Sequence, residues 1–240
     1  MSQETNFEAI KAEILNRAKA AHACIEQYGR AYKSKTLYEL CNVIKNNFHW
    51  CSNNKVITSD LLMQYREDFA QNDIFTNTST RSGFLLCDNV TVEACDNVTV
   101  EACGNVTVEA WDNATVKACD NATVEAHDNA TVEVHDNATV EAWGNATVEA
   151  CDKVTVEAWD KAAVKACGNA TVEAHDVATV EARDNVTVKA CDNATVEAHD
   201  NTYCTSHCII ECKLSNNAIY RVKSTNTVYY SSDDINFIKQ

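Results

Sequence analysis

Asp120–His127 reads D-N-A-T-V-E-A-H, and Asp192–His199 reads the same eight residues again. From Asp88 to His199 the chain divides into 14 such units of eight. Position 1 is Asp in 11 units and Gly in three (Gly104, Gly144, Gly168). Position 2 is Asn in 11, Lys at 153 and 161, and Val at 177. Position 3 is Ala or Val, position 4 is Thr except Ala163, and position 5 is Val throughout. Position 6 is Glu in 11 units and Lys in three, and position 7 is Ala except Val134. Position 8 varies: six Cys, four His, three Trp and Arg183.

Small apolar residues at positions 3, 5 and 7 alternate with polar or variable ones at 4, 6 and 8. Period two is the pattern of a strand with one buried face. A helix is excluded, because eight residues overshoot two turns by about 80° and the Val would spiral round the axis. Asp, Gly and Asn tolerate left-handed backbone, so the corner falls at positions 1 and 2. Strand, corner, strand at a fixed period predicts a parallel β-solenoid, mainly β in class. Two units per coil give a flattened 16-residue coil with two sheets; three would give a 24-residue triangle. Between 88 and 199 there is no Leu, Ile, Met or Phe. Ala and Val fill a thin gap between sheets but not the middle of a triangle, so the 16-residue coil is expected. The chain has no Pro, as a stack that uses every strand N–H requires.

The frame extends outward from the repeats. Thr80–Cys87 places Phe84 and Leu86 at positions 5 and 7, Asn216–Lys223 stays in phase, and Ser224–Ser231 puts Val228 at position 5. Larger residues at both ends fit terminal coils that close the stack. Eighteen units from 88 to 231 make nine coils, a rod roughly 43 Å long at about 4.8 Å per coil.

Residues 1–79 follow helical rules. Thr5-x-x-Glu8 has the form of a capping box before Phe7, Ile10, Ile14, Ala18, Ala21 and Ile25, with Gly29 as a stop. Thr36-x-x-Glu39 repeats the device before Leu37, Leu40, Ile44 and Phe48. A third helix is expected from about Ser59 to Ala70, burying Leu62, Tyr65 and Phe69. The expected organisation is therefore a helical head over 1–79 that covers the first coil, a β-solenoid over 80–231, and a C-terminal tail over 232–240.

The 14 units, with the phased stretch Glu211–Tyr220, resemble a group of uncharacterised bacterial or phage-type octapeptide-repeat proteins. That resemblance implies the rod and carries no activity. In architecture the rod is also similar to bacterial ice-nucleation repeats with 16-residue coils. Those present Thr-x-Thr, whereas here Thr at position 4 is followed by Glu at position 6.

Lys and Arg number 20 against 35 Asp and Glu, a net charge of −15. A general basic surface for nucleic acid is excluded. No apolar run is long enough to span a membrane. Met1–Phe7 has no basic and apolar leader pattern, so a cytoplasmic setting with the 13 Cys reduced is expected. The 16-residue coil stacks Cys87, Cys103, Cys119, His135, Cys151 and Cys167 in one column and Trp111, Trp143 and Trp159 in the other. Thiolate and imidazole suit soft metals, yet a ladder does not supply tetrahedral geometry, and no metal site is assigned. Glu93, Glu109, Glu125, Glu141, Glu157 and Glu173 stack as an acidic column, read as a solvated face in preference to a surface for calcium or a basic partner. The 11 Asn-x-Thr sequons are read as a by-product of the repeat. No nucleophile elbow, P-loop or zinc-protease motif occurs, and the nearest candidate for a catalytic cluster is His49, Trp50 and Cys51. The expectation is a non-enzymatic structural or interaction protein without cofactor, a rigid acidic rod displaying the variable position-8 residues for multivalent contact with a protein or other surface. The alternatives are an ice-binding face and a Cys/His metal ladder.

Overall fold

The computed structural model describes residues 3–231 and 235–237, with side chains from 6 to 231. Two sheets face each other, one of eleven strands and one of ten. From Phe84 to Val222 successive strands alternate between them, so each of these strands pairs in parallel with the strand two steps along the chain. Register is residue for residue at a separation of 16, as in Thr123↔Thr139, Val124↔Val140, Glu125↔Glu141 and Ala126↔Ala142. Eighteen parallel strands from Phe84 to Val222 form nine coils. The two-sided solenoid of 16-residue coils is thus the fold.

Positions 3, 5 and 7 point inward along the rod and form one continuous core of Ala and Val. Val140 and Ala142 are fully buried, and Glu141 between them faces out. From Asp96 to Asp200 each corner opens with a positive φ at position 1, as at Asp112 (60°), Asp136 (66°) and Gly144 (70°), whereas in the first unit it falls on Asn89 (52°). Asp serves there because it also supplies an acceptor. The Asp160 carboxylate accepts the Gly144 N–H at 3.2 Å, and the Asp176 carboxylate accepts that of Asp160 at the same distance. Gly meets the backbone demand without the acceptor. Position 2 adds an amide ladder, with Asn145 Nδ2 donating to Asn129 Oδ1 at 3.3 Å and Asn201 to Asn185 likewise. A side chain joined to its neighbours above and below explains why Asn recurs.

The first coil departs from the expected phase. β1 (Ile74–Thr76) pairs in parallel with β2 (Phe84–Asp88), which pairs with β4 (Thr99–Cys103); β3 (Thr91–Ala94) begins the other sheet. In β2 and β4, Phe84 lies opposite Thr99 and Cys87 opposite Ala102, a separation of 15. A one-residue slip sends every side chain to the other face. Leu85 and Cys87 therefore enter the rod core. Phe84 and Leu86, expected to point in, point out and pack against the head. Gly83, with φ of 86°, sits where an added Cβ would lie 2.5 Å from the Asp73 carbonyl oxygen. Only glycine fits that entry.

Both ends of the stack are closed by strands. At the start, β1 covers the edge of β2, and Thr80 bridges to Ala94. At the far end, Thr227–Tyr230 turns back antiparallel on Ile219–Val222, and Ile235–Phe237 runs antiparallel to Glu211–Leu214. Ser224–Ser231 is thus not an eighteenth octapeptide in phase, and Val228 is half-exposed. Edge strands with free N–H and C=O groups invite association, and a reversal covers them where another coil would only move the edge along. Residues 232–234 and 238–240 of the expected tail lie outside the described residues.

Among the described residues the head holds six helices instead of three: α1 (Gln3–Ala20), α2 (Ile25–Lys33), α3 (Leu37–Lys45), α4 (Phe48–Asn53), α5 (Ser59–Gln64) and α6 (Arg66–Ala70). α1 already includes Thr5, so Thr5 is not its cap. It ends at Ala20, where His22 takes φ of 56° and Ala23 N–H reaches back to the Ala18 carbonyl at 2.9 Å. Gly29 lies inside α2 and stops nothing, and Ile25 is 93% exposed. Thr36 does cap α3, accepting from Glu39 N–H at 3.2 Å, while the Glu39 carboxylate accepts from Lys35 N–H at 2.6 Å. The expected third helix breaks at Tyr65 (φ −122°, ψ 40°) into α5 and α6, though Leu62 and Phe69 are buried as expected. The head core joins Ile10, Ile14, Leu40, Ile44 and Phe69 to Ile74 of β1 and Leu86 of β2. The head thus packs on the side of the first coils, and β1 covers the edge of the first sheet.

Candidate functional site

The outward side chains form columns because the coils are in register. In the second sheet Glu93, Glu109, Glu125, Glu141, Glu157 and Glu173 lie opposite one another without interruption. Lys189 follows and binds the Glu173 carboxylate. The first sheet is compensated instead. There the column runs Glu101, Lys117, Glu133, Glu149, Lys165, Glu181, Glu197, Lys213. Lys117 Nζ sits 2.6 Å from Glu133 Oε2, and its hydrogen bond, with that of His135, holds the Glu133 carboxyl below the usual range. Arg183 does the same for Glu181 at 2.6 Å. The rod therefore has one acidic face and one mixed face.

The two position-8 columns also differ in chemistry. In the second sheet the rings stack: Trp111 on His127 at 3.9 Å, His127 on Trp143 at 4.9 Å, Trp159 on His175 at 3.8 Å, all within 9° of parallel. Sequence reasoning put the three Trp in one column and missed the His between them. The coil repeat matches ring-stacking distance, so any aromatic pair 16 apart was the signal.

In the first sheet the sulfur column begins at Cys103, not at Cys87. The first-coil slip takes Cys87 into the core, where burial pushes its thiol up to about 12. Cys119 Sγ donates to Cys103 Sγ at 2.8 Å. Cys151 and Cys167 form a disulfide with Cα atoms 4.7 Å apart. That pair corrects the expectation of reduced thiols throughout: neighbouring coils hold position 8 inside the bridging window. Three unlike donors, Glu173, His175 and Cys191, lie within 4.8 Å of one another. They belong to the aromatic side, not to the sulfur column in which metal ligands were weighed, and Glu173 is already engaged by Lys189 and His175.

The head cluster His49, Trp50 and Cys51 does not converge on one point. His49 Nδ1 lies 2.9 Å from Glu101 Oε2, and Asn53 Nδ2 contacts Nε2 at 3.1 Å. Trp50 and Cys51 line an apolar cavity of about 300 Å³ between α1, α2, α3 and α4, with Ile14, Tyr28 and Val43. Burial pushes the Cys51 thiol up to about 12, so it is no nucleophile at neutral pH. No described helix is long and apolar enough to cross a membrane. Comparison with protein-family models, with curated proteins and with solved structures finds no match.

Proposed function

We propose that this chain is a non-enzymatic interaction rod of the octapeptide-repeat kind, whose acidic face engages a repetitive cationic partner, a protein or other surface, by many equal contacts. The observation that carries the reading is the unbroken register of Glu93, Glu109, Glu125, Glu141, Glu157 and Glu173 on one flat face. Equal groups at about 4.8 Å turn a weak contact into avidity when the partner repeats too. Clustered like charge also strengthens steering toward a cation, in a salt-dependent way. The test is capture of partners on the immobilised full chain, compared with a variant carrying Gln at those six positions. The reading expects capture that salt releases and that the variant loses. Capture unchanged in the variant would overturn it.

The Thr column beside the Glu column favours one second reading, an ice-binding face. Thr107, Thr123, Thr139, Thr155 and Thr171 stack in register on the same sheet. Thermal hysteresis of the purified chain separates the two, since the cation-binding reading expects none.

A further inference from the structure

We propose that Cys103 and Cys119 are a thiol–disulfide exchange site that takes a small disulfide and ends as a second staple between adjacent coils. The two residues follow Ala102 and Ala118, which pair in register, and Cys119 N–H donates to the Ala102 carbonyl at 3.0 Å. Their sulfurs stand 2.8 Å apart with no backbone movement required. The pair copies, in the same column and at the same separation of 16, the bonded pair Cys151–Cys167. Both thiols are partly exposed, whereas Cys41, Cys51 and Cys87 are buried.

The surroundings select the attacking sulfur. The Cys119 S–H donates to Cys103 and Lys55 lies nearby, and together they outweigh burial and lower the Cys103 thiol. Cys119 shows the converse: as donor to Cys103 it holds its proton more tightly than a free thiol. A thiolate beside a cation is the reactive form. Cys103 opens on one side to a cleft of about 350 Å³ under the head, lined by Ser52, Lys55, Gly104 and Asp120. On the other side Cys103 and Cys119 share a smaller cleft with Lys117. Lys55 is the cation nearest the attacking sulfur, in a cleft that Asp60, Asp88 and Asp120 also line, while Lys117 in the second cleft is paired with Glu133.

The steps balance. The Cys103 thiolate attacks one sulfur of the disulfide RSSR, that S–S bond breaks, and RS⁻ leaves and takes up a proton. Once Cys103 is in the mixed disulfide it no longer holds the Cys119 proton. Cys119 then loses that proton and attacks Cys103 Sγ, expelling the second RSH. The protein dithiol is oxidised by two electrons, and RSSR is reduced to two RSH.

The test uses the full chain, first reduced, then exposed to glutathione disulfide, quenched by alkylation and digested with trypsin without reductant. Cleavage after Lys117 separates Cys103 (peptide 82–117, which also holds Cys87 and Cys95) from Cys119 (peptide 118–153, which also holds Cys151), and fragmentation of the linked peptides assigns the bonded sulfurs. The expected product joins these peptides through Cys103 and Cys119, with peptide 166–183 attached as well where Cys151–Cys167 re-forms. Cys119→Ser is expected to lose the link and to accumulate glutathione on Cys103. Re-formation of Cys151–Cys167 without the Cys103–Cys119 link would overturn the proposal. So would glutathione settling on other cysteines of Cys119→Ser while Cys103 remains alkylated.

Discussion

His49 Nδ1 reaches Glu101 Oε2 at 2.9 Å, and Glu101 is 3% exposed although it occupies an outward position of the repeat. The head, docked on the first coils, buries this one carboxylate of the mixed column, and Ser52 Oγ stands 3.5 Å away as a second donor. Burial is the largest influence and raises the Glu101 carboxyl, with His49 and then Lys117 opposing it. A folded value above the unfolded one means that the folded state holds the proton more tightly. The stabilising contribution is then full below the unfolded carboxylate range and is lost as pH rises through the raised folded value. Glu101→Gln, which keeps a hydrogen-bonding oxygen and never ionises, is expected to lose that part of the dependence. Thermal melts of both proteins from pH 4 to pH 7.5 check it: equal slopes would show that Glu101 does not titrate at the junction.

His49→Ala removes the nearest partner of the same carboxylate. Leaving a buried charged acceptor under-satisfied costs about 2 kcal/mol. The loss is expected in the wild-type Glu101 background and to shrink in Glu101→Gln, a coupling that a double-mutant cycle of denaturant midpoints reads directly.

Thr202 occupies position 3 of a coil, where the 14 repeat units carry Ala or Val and the following unit carries Ile210. It is fully buried, and among the described residues its hydroxyl has no hydrogen-bond partner. Valine has the same shape without the polar atom. Thr202→Val is expected to stabilise the rod by about 1 kcal/mol. A decrease in the melting temperature would mean that the hydroxyl is satisfied in solution.

Val140 and Glu141 are adjacent, but Val140 is fully buried and Glu141 stands in the acidic column. Val140→Asp puts a carboxylate between the sheets and is expected to cost several kcal/mol. Glu141→Gln is expected to be neutral or slightly stabilising at low ionic strength, because it relieves repulsion from Glu125 and Glu157. Comparable losses in chemical denaturation would contradict the parity of the strand.

Deleting Asp112–His127 removes one coil and rejoins equivalent neighbours in the same register, so a shorter folded rod is expected, since each coil contacts only the next. Deleting only Asp112–Cys119 exchanges the two sheets for everything downstream and mismatches the columns. Circular dichroism and melting of the two deletions should separate them, and equal damage would be incompatible with two octapeptides per coil.

Most of the rod was legible in the residues alone. Period two told inside from outside, the Asp/Gly exchange marked a positive φ, and the thin Ala/Val content excluded a triangular coil. These are local properties repeated 14 times, so the units acted as their own alignment. From them the column order followed, including the Trp and Cys columns. What the chain does at the ends of the repeat was not local. The slip at Phe84, the inward turn of Cys87 and the burial of Glu101 depend on the head packing against the first coil, a contact between segments about 50 residues apart. The break at Tyr65 and the end of α1 at Ala20 were likewise set by how short helices share one core, which capping motifs and a lone Gly29 do not report. The reversal of Thr227–Tyr230 answers a need of the whole stack, an edge left unpaired, that no octapeptide carries in its own sequence. Sequence determined the repeating unit because its physics is contained in eight residues. Tertiary structure decided the boundaries because there the partner of each strand is no longer a copy of itself.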